Sequence, residues 1–201
     1  SVGKELIEIS ITPEKKYDLT ELQTALEKNA GEISCAYLYH ARPVALDNSY
    51  LESLANLLNQ NSVTALVDLD VIATQHTNVH SPVLPLEIST LRKNAVYLFN
   101  LSKEIGAPGI RIGFGVAPAQ LAKRIKKFQQ TSFDMIPPVT KHIATMLLEH
   151  ADIGQSSQEL QCRMERLVTG LQSLSFDAKL PNVGVNLFMH VPRAFEQSQT
   201  V

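Results

Sequence analysis

Apolar positions along this chain fall into two periods. Residues 6–11, Leu6-Ile7-Glu8-Ile9-Ser10-Ile11, alternate and predict a strand. Asp18 then precedes Leu19, Leu22, Ala25 and Leu26, a helical spacing with a capping carboxylate and Glu21 in the first turn. Residues 33–39 read as the next strand. Asp47, Asn48 or Ser49 can cap a helix that carries Leu51, Leu54, Ala55, Leu57 and Leu58. The β-branched run over residues 63–67 is a third strand, and Ala95-Val96-Tyr97-Leu98-Phe99 is another. Strands that alternate with helices predict an α/β fold with a mainly parallel sheet and right-handed crossovers. In such sheets a ligand lies beyond the carboxyl ends of the strands.

The second half is mostly helical in pattern. Leu121, Ala122, Ile125 and Phe128 share one face of a helix, with Lys123, Arg124, Lys126 and Lys127 directed away. Pro137-Pro138 breaks the chain before a helix over residues 143–148. Residues 158–173 form a long amphipathic helix, followed by a loop and a strand over residues 183–190. The chain turns polar at residues 150–157, which places a domain boundary there: residues 1–150 in one unit, 151–201 in a second.

Composition changes this picture little. Of 201 residues, 44% are hydrophobic and 19% charged, as in a globular chain. A net charge of -2 gives no reason to expect nucleic acid or an anionic membrane as partner. The basic run near residue 124 reads as a solvated face. No apolar run nears the roughly 20 residues that span a bilayer, and no secretory signal is expected. Cys35 and Cys162 have no metal spacing and read as buried small hydrophobes in a reducing, cytoplasmic setting. His76 and His80 have the i, i+4 spacing of a helical metal site, but their polar segment runs into Ser81-Pro82, so no metal is expected.

The candidate chemistry lies in Asn100-Leu101-Ser102-Lys103-Glu104-Ile105-Gly106-Ala107-Pro108-Gly109-Ile110-Arg111-Ile112-Gly113. Lys103 follows an apolar strand into a loop bent by glycines and a proline. Arg111 returns eight residues later, at the mouth of a second apolar run. A guanidinium fork suits a phosphate, and a lysine amine beside another cation can lose its proton and form a Schiff base. The plain alternative is an ordinary strand–loop–strand with a solvated lysine. Asp68 closes the third strand at the ligand end of the sheet, with Asp70 as its competitor.

This segment resembles the cofactor-lysine motif of the class I/II pyridoxal-phosphate aminotransferases, roughly Ser-x-Ser-Lys followed by Gly-x-Arg-x-Gly. The resemblance covers nearly the whole chain. It implies a three-layer α/β large domain plus the start of a small α+β domain. It implies that Lys103 binds pyridoxal 5'-phosphate as a Schiff base and that Arg111 holds the phosphate. Ser102 and Asn100 belong to the same cofactor motif; Asn100 stands where the family often has Ser, and can still donate a hydrogen bond. Asp68 is implied as the acid that keeps the pyridine nitrogen protonated.

Two positions depart from the family. Val71 stands where members carry a Tyr that donates to the cofactor's phenolic oxygen. Arg42, in Arg42-Pro43-Val44-Ala45, stands where the Asn of Asn-Pro-Thr-Gly contacts the same oxygen. A hydrogen bond to a charged oxygen is worth roughly 1.5–3 kcal/mol, so the changes bear on the reaction outcome.

A preceding glycine-rich phosphate loop and a following arginine for the substrate carboxylate are not located in this chain. The resemblance therefore implies a fragment, a renumbered subset or one half of a split arrangement. The implied function is amino-group transfer between an amino acid and a 2-oxo acid in a cytoplasmic homodimer, residues 132–138 crossing the dimer interface. A pyridoxal-phosphate lyase or cyclase and a catalytically inactive scaffold are the alternatives.

Overall fold

Four strands form one sheet in the order β1-β2-β3-β4: β1 (Cys35–Tyr39), β2 (Thr64–Asp68), β3 (Ala95–Asn100) and β4 (Gly113–Val116). The computed structural model describes residues 5–12, 16–39, 47–69, 85–101, 107–132, 136–150, 153–181, 186–187 and 189. β1, β2 and β3 are parallel, and β4 runs antiparallel to β3. The register pairs Tyr39 with Asp68, Asp68 with Leu98, and Asn100 with Gly113. The α/β architecture with a mostly parallel sheet is the one the strand–helix alternation predicts.

Local chemistry explains the helices beside it. The Asp18 carboxylate accepts from the N–H groups of Thr20 and Glu21 at 2.9 and 3.0 Å, which starts α1 (Leu19–Lys28). Asp47 likewise accepts from the Tyr50 N–H at 2.7 Å to start α2 (Asn48–Gln60). Lys16 donates to the same carboxylate at 2.7 Å. This contact and the cap hold the Asp47 carboxyl below the usual range. A short α3 (Ser89–Arg92) is tied to α2 by the Asn59 amide, which donates to the Thr90 carbonyl at 2.9 Å.

These three helices cover one face of the sheet. Leu22, Leu26, Leu51, Leu54, Ala55, Leu58 and Leu91 are buried with Leu38, Ala65, Val67, Ala95 and Tyr97. Strand side chains alternate between faces, so Tyr37, Asp68, Leu98 and Asn100 project to the opposite face. Asn94 fastens β2 to β3: its amide donates to the Val63 carbonyl at 3.1 Å, and its carbonyl accepts from the Thr64 hydroxyl at 3.0 Å.

The second half of the chain is α4 (Ala119–Ser132), α5 (Pro138–His150) and α6 (Ile153–Ser173). α4 has the expected amphipathic face, but none of its residues is buried. α6 starts five residues before the expected Gln158 and buries Met164 and Val168. The turn over residues 108–110 packs against α5.

Two expectations are corrected. Residues 6–11 are not a strand. The backbone of Ser10 turns to the start of α1 instead: its N–H donates to the Glu21 carboxylate at 2.7 Å, and its carbonyl accepts from Asp18 N–H at 2.9 Å. Only an isolated antiparallel bridge joins Ile11 to Tyr17. Cys35 and Cys162 are free and exposed rather than buried; Cys35 projects to the sheet face that α1–α3 leave uncovered. The expected strand at residues 183–190 falls mostly outside the described residues; Asn186, Leu187 and Met189 are in no strand. Among the described residues no helix is long and apolar enough to cross a membrane.

Candidate active site

β1, β2 and β3 all end at one edge of the sheet, and β4 starts there because it is antiparallel. That edge gathers Asp68 from the end of β2, Asn100 from the end of β3 and Gly113 from the start of β4. Arg111 enters just before β4. Asp68, Phe99, Asn100, Arg111 and Gly113 line a single cleft of about 340 Å³, within the size range of small-ligand sites.

Backbone geometry brings Arg111 to this cleft. After the turn Pro108–Ile110 the chain reverses at Arg111, which takes a left-handed conformation with φ 50° and ψ 47°. A non-glycine residue there carries a steric cost. The Leu101 N–H donates to the Ile112 carbonyl at 3.2 Å, so the segment that leaves β3 returns beside its own starting point. Gly113 lies opposite Asn100, and a methyl group in its place would collide with the Phe99 carbonyl oxygen. Glycine lets β3 and β4 approach at the rim of the cleft.

The charges are of both signs. Asp68 and Arg111 line one cavity, with Asn100 at the end of the neighbouring strand. Such a cleft can hold a ligand with a protonated nitrogen at one side and an anionic group at the other.

Sequence reasoning missed Tyr37. Its hydroxyl donates to Asp68 Oδ2 at 2.5 Å, from β1 to the neighbouring β2. Partial desolvation and the hydrogen bond to Asp68 push the phenol well above the usual tyrosine range. The signal was half present: alternation in β1 separates Tyr37 from Leu38 by face, but only the register brings it to Asp68. Asp68, Asn100 and Arg111 are thus brought together. Arg42, Ser102 and Lys103, with Asp70, Val71, His76 and His80, lie outside the described residues.

Known proteins share sequence and fold with this chain. The profile described as aminotransferase class I and II matches residues 2–200. The chain is similar to 1-aminocyclopropane-1-carboxylate synthase 6 of Arabidopsis thaliana, 25% identical over 72% of this chain and 31% of that protein. It is also similar to histidinol-phosphate aminotransferase of Campylobacter hominis, 27% identical over 59% of this chain and 33% of that protein. The crystal structure of an aspartate aminotransferase from Thermotoga maritima superposes with a TM-score of 0.76 at 18% identity, over 90% of this chain and 47% of that one. The chain thus spans about a third of these two relatives and about half of the solved structure.

Proposed function

The chain belongs to the class I and II aminotransferase family, and from that premise we propose that it supplies the lysine half of a site that moves an amino group between an amino acid and a 2-oxo acid. The family depends on pyridoxal 5'-phosphate. The residues present fit that group. The cleft offers a carboxylate for the ring nitrogen, a guanidinium for the phosphate and an amide donor from Asn100. When bound, the cofactor supplies an electron sink for the pair released at the substrate's α-carbon.

Each residue then has a task. Asp68 holds positive charge at the ring nitrogen. Arg111 binds the phosphate through its fork of donors. The Lys103 amine anchors the cofactor, then takes and returns the α-proton as general acid/base. Ser102 and Asn100 complete the cofactor contacts on the lysine side, and Arg42 donates to the phenolic oxygen.

The observation that carries the reading is the meeting of Asp68, Asn100 and Arg111 in one cleft at the carboxyl edge of the sheet. Titration of the full-length protein with pyridoxal 5'-phosphate tests it. An absorbance band of lysine-bound cofactor, removed by borohydride and absent in Lys103→Ala, is expected. The lack of such a band would favour an inactive, scaffold-like family member.

A second reading, a lyase or cyclase on the same cofactor, is favoured by Arg42 and Val71 and by the name of the Arabidopsis relative. Product analysis separates the two: a 2-oxo acid for transfer, an alkene or ring-containing amino acid for the alternative. The transfer reading carries a homodimer with residues 132–138 at its interface, in the cytoplasm. Two free cysteines suit that reducing compartment.

A further inference from the structure

Asp68 is the last residue of β2, and its carboxylate is not held by the strand ladder. Carboxylate torsions at such a position are soft. Tyr37 supplies a constraint from the neighbouring strand. It is two register pairs before Tyr39, the partner of Asp68, and so projects to the same face. Its hydroxyl donates to Oδ2 of Asp68 at 2.5 Å, and Asp68 at the same time lines the cleft with Arg111. One oxygen of the carboxylate is therefore tied to β1.

We propose that Tyr37 is a positioning residue for Asp68: its phenol fixes the carboxylate plane toward the cleft and shares the carboxylate's negative charge. The inference rests on the cofactor reading of the cleft. A carboxylate that must meet a ring nitrogen within hydrogen-bond distance gains from a partner that locks its orientation. The phenol also draws charge from the oxygen it bonds, and so weakens the field that Asp68 exerts on whatever occupies the cleft. Tyr37 reaches Asp68 from the strand beside it. The ionisable neighbours of the phenol are Asp68, Tyr39 and Tyr17, while Arg111 faces the cleft beside Asp68. The raised phenol ionisation agrees with a proton retained between Tyr37 and Asp68.

The test uses full-length protein in two states. Without cofactor, an ultraviolet difference titration follows tyrosine ionisation. Asp68→Asn should bring one phenol down toward the ordinary range, and Tyr37→Phe should delete that same transition. With cofactor, Tyr37→Phe should still form the borohydride-sensitive band. The pH midpoint of that band should rise by up to about one unit, because the Asp68 charge is no longer shared. Turnover should fall roughly tenfold with KM little changed, and thermal stability should stay near the parent's. An unchanged midpoint and turnover in Tyr37→Phe overturn the inference alone. Absence of the band in the parent overturns the cofactor reading, and the inference with it.

Discussion

Phe99 of β3 and Phe114 of β4 stack with ring centroids 4.7 Å apart and planes 9° from parallel. They are register partners, on the helix-covered side of the sheet. The stack fixes how β4 lies against β3, and with it the placement of Gly113 opposite Asn100 and of Arg111 at the cleft. Phe114→Ala is expected to cost about 1 kcal/mol of stability, since cross-strand aromatic pairs contribute on that scale. Urea denaturation reads the loss. A parallel drop in cofactor affinity, absent in Phe114→Tyr, would tie the stack to the site.

Gly113→Ala is expected to damage the site more than its size suggests. The added methyl would meet the Phe99 carbonyl, a backbone atom that moves only if β3 moves. A cost of about 1–3 kcal/mol follows from such overpacking. Gly109→Ala serves as control, because open space surrounds that position. Thermal denaturation of the pair should show a much lower Tm for Gly113→Ala alone.

Arg111 separates stability from function. Its left-handed backbone is one that glycine adopts without steric cost. Arg111→Gly should hold or raise the Tm, by up to about 1 kcal/mol of stability. The same change should weaken pyridoxal-phosphate binding at least tenfold, by loss of a charge-assisted contact. Calorimetry on one sample measures both. A fall in Tm together with unchanged affinity would argue that Arg111 has a packing role only.

Tyr97 sets an alkaline limit. Its hydroxyl donates to the Pro85 carbonyl at 3.2 Å inside the core. Burial pushes its ionisation up to about 12. The folded value exceeds the unfolded value near 10. Its contribution is therefore complete below pH 10 and is lost as pH rises from there through about 12. Melting curves between pH 8 and 11 should show this decline. Tyr97→Phe should start about 1 kcal/mol lower and decline less steeply.

What the sequence revealed depended on where a residue sits in its run. Asp68 and Arg111 stand at the ends of apolar segments, so the apolar pattern put them at the sheet's edge, while Asn100 was reached through the family resemblance. Asp18 was legible as a cap, and Asp47 as one of three candidates with Asn48 and Ser49, because capping is a local interaction. Tyr37 was not, because its partner is 31 residues away and only inter-strand register joins them. Residues 6–11 show the converse. Alternation specifies an extended chain with two faces, but a strand also needs a neighbour, and this backbone bonds to a turn and α1. Exposure of Cys35 and Cys162 was hidden for a related reason: burial depends on which sheet or helix face another element covers.

The clasp between the Leu101 N–H and the Ile112 carbonyl has an evolutionary reach. It makes the ten residues between them a cassette whose two ends are stitched together by the scaffold. Lengthening such a cassette twofold costs only about 0.6 kcal/mol in closure entropy. A change of length there would alter the eight-residue spacing of Lys103 and Arg111 while the strands on either side keep their pairing.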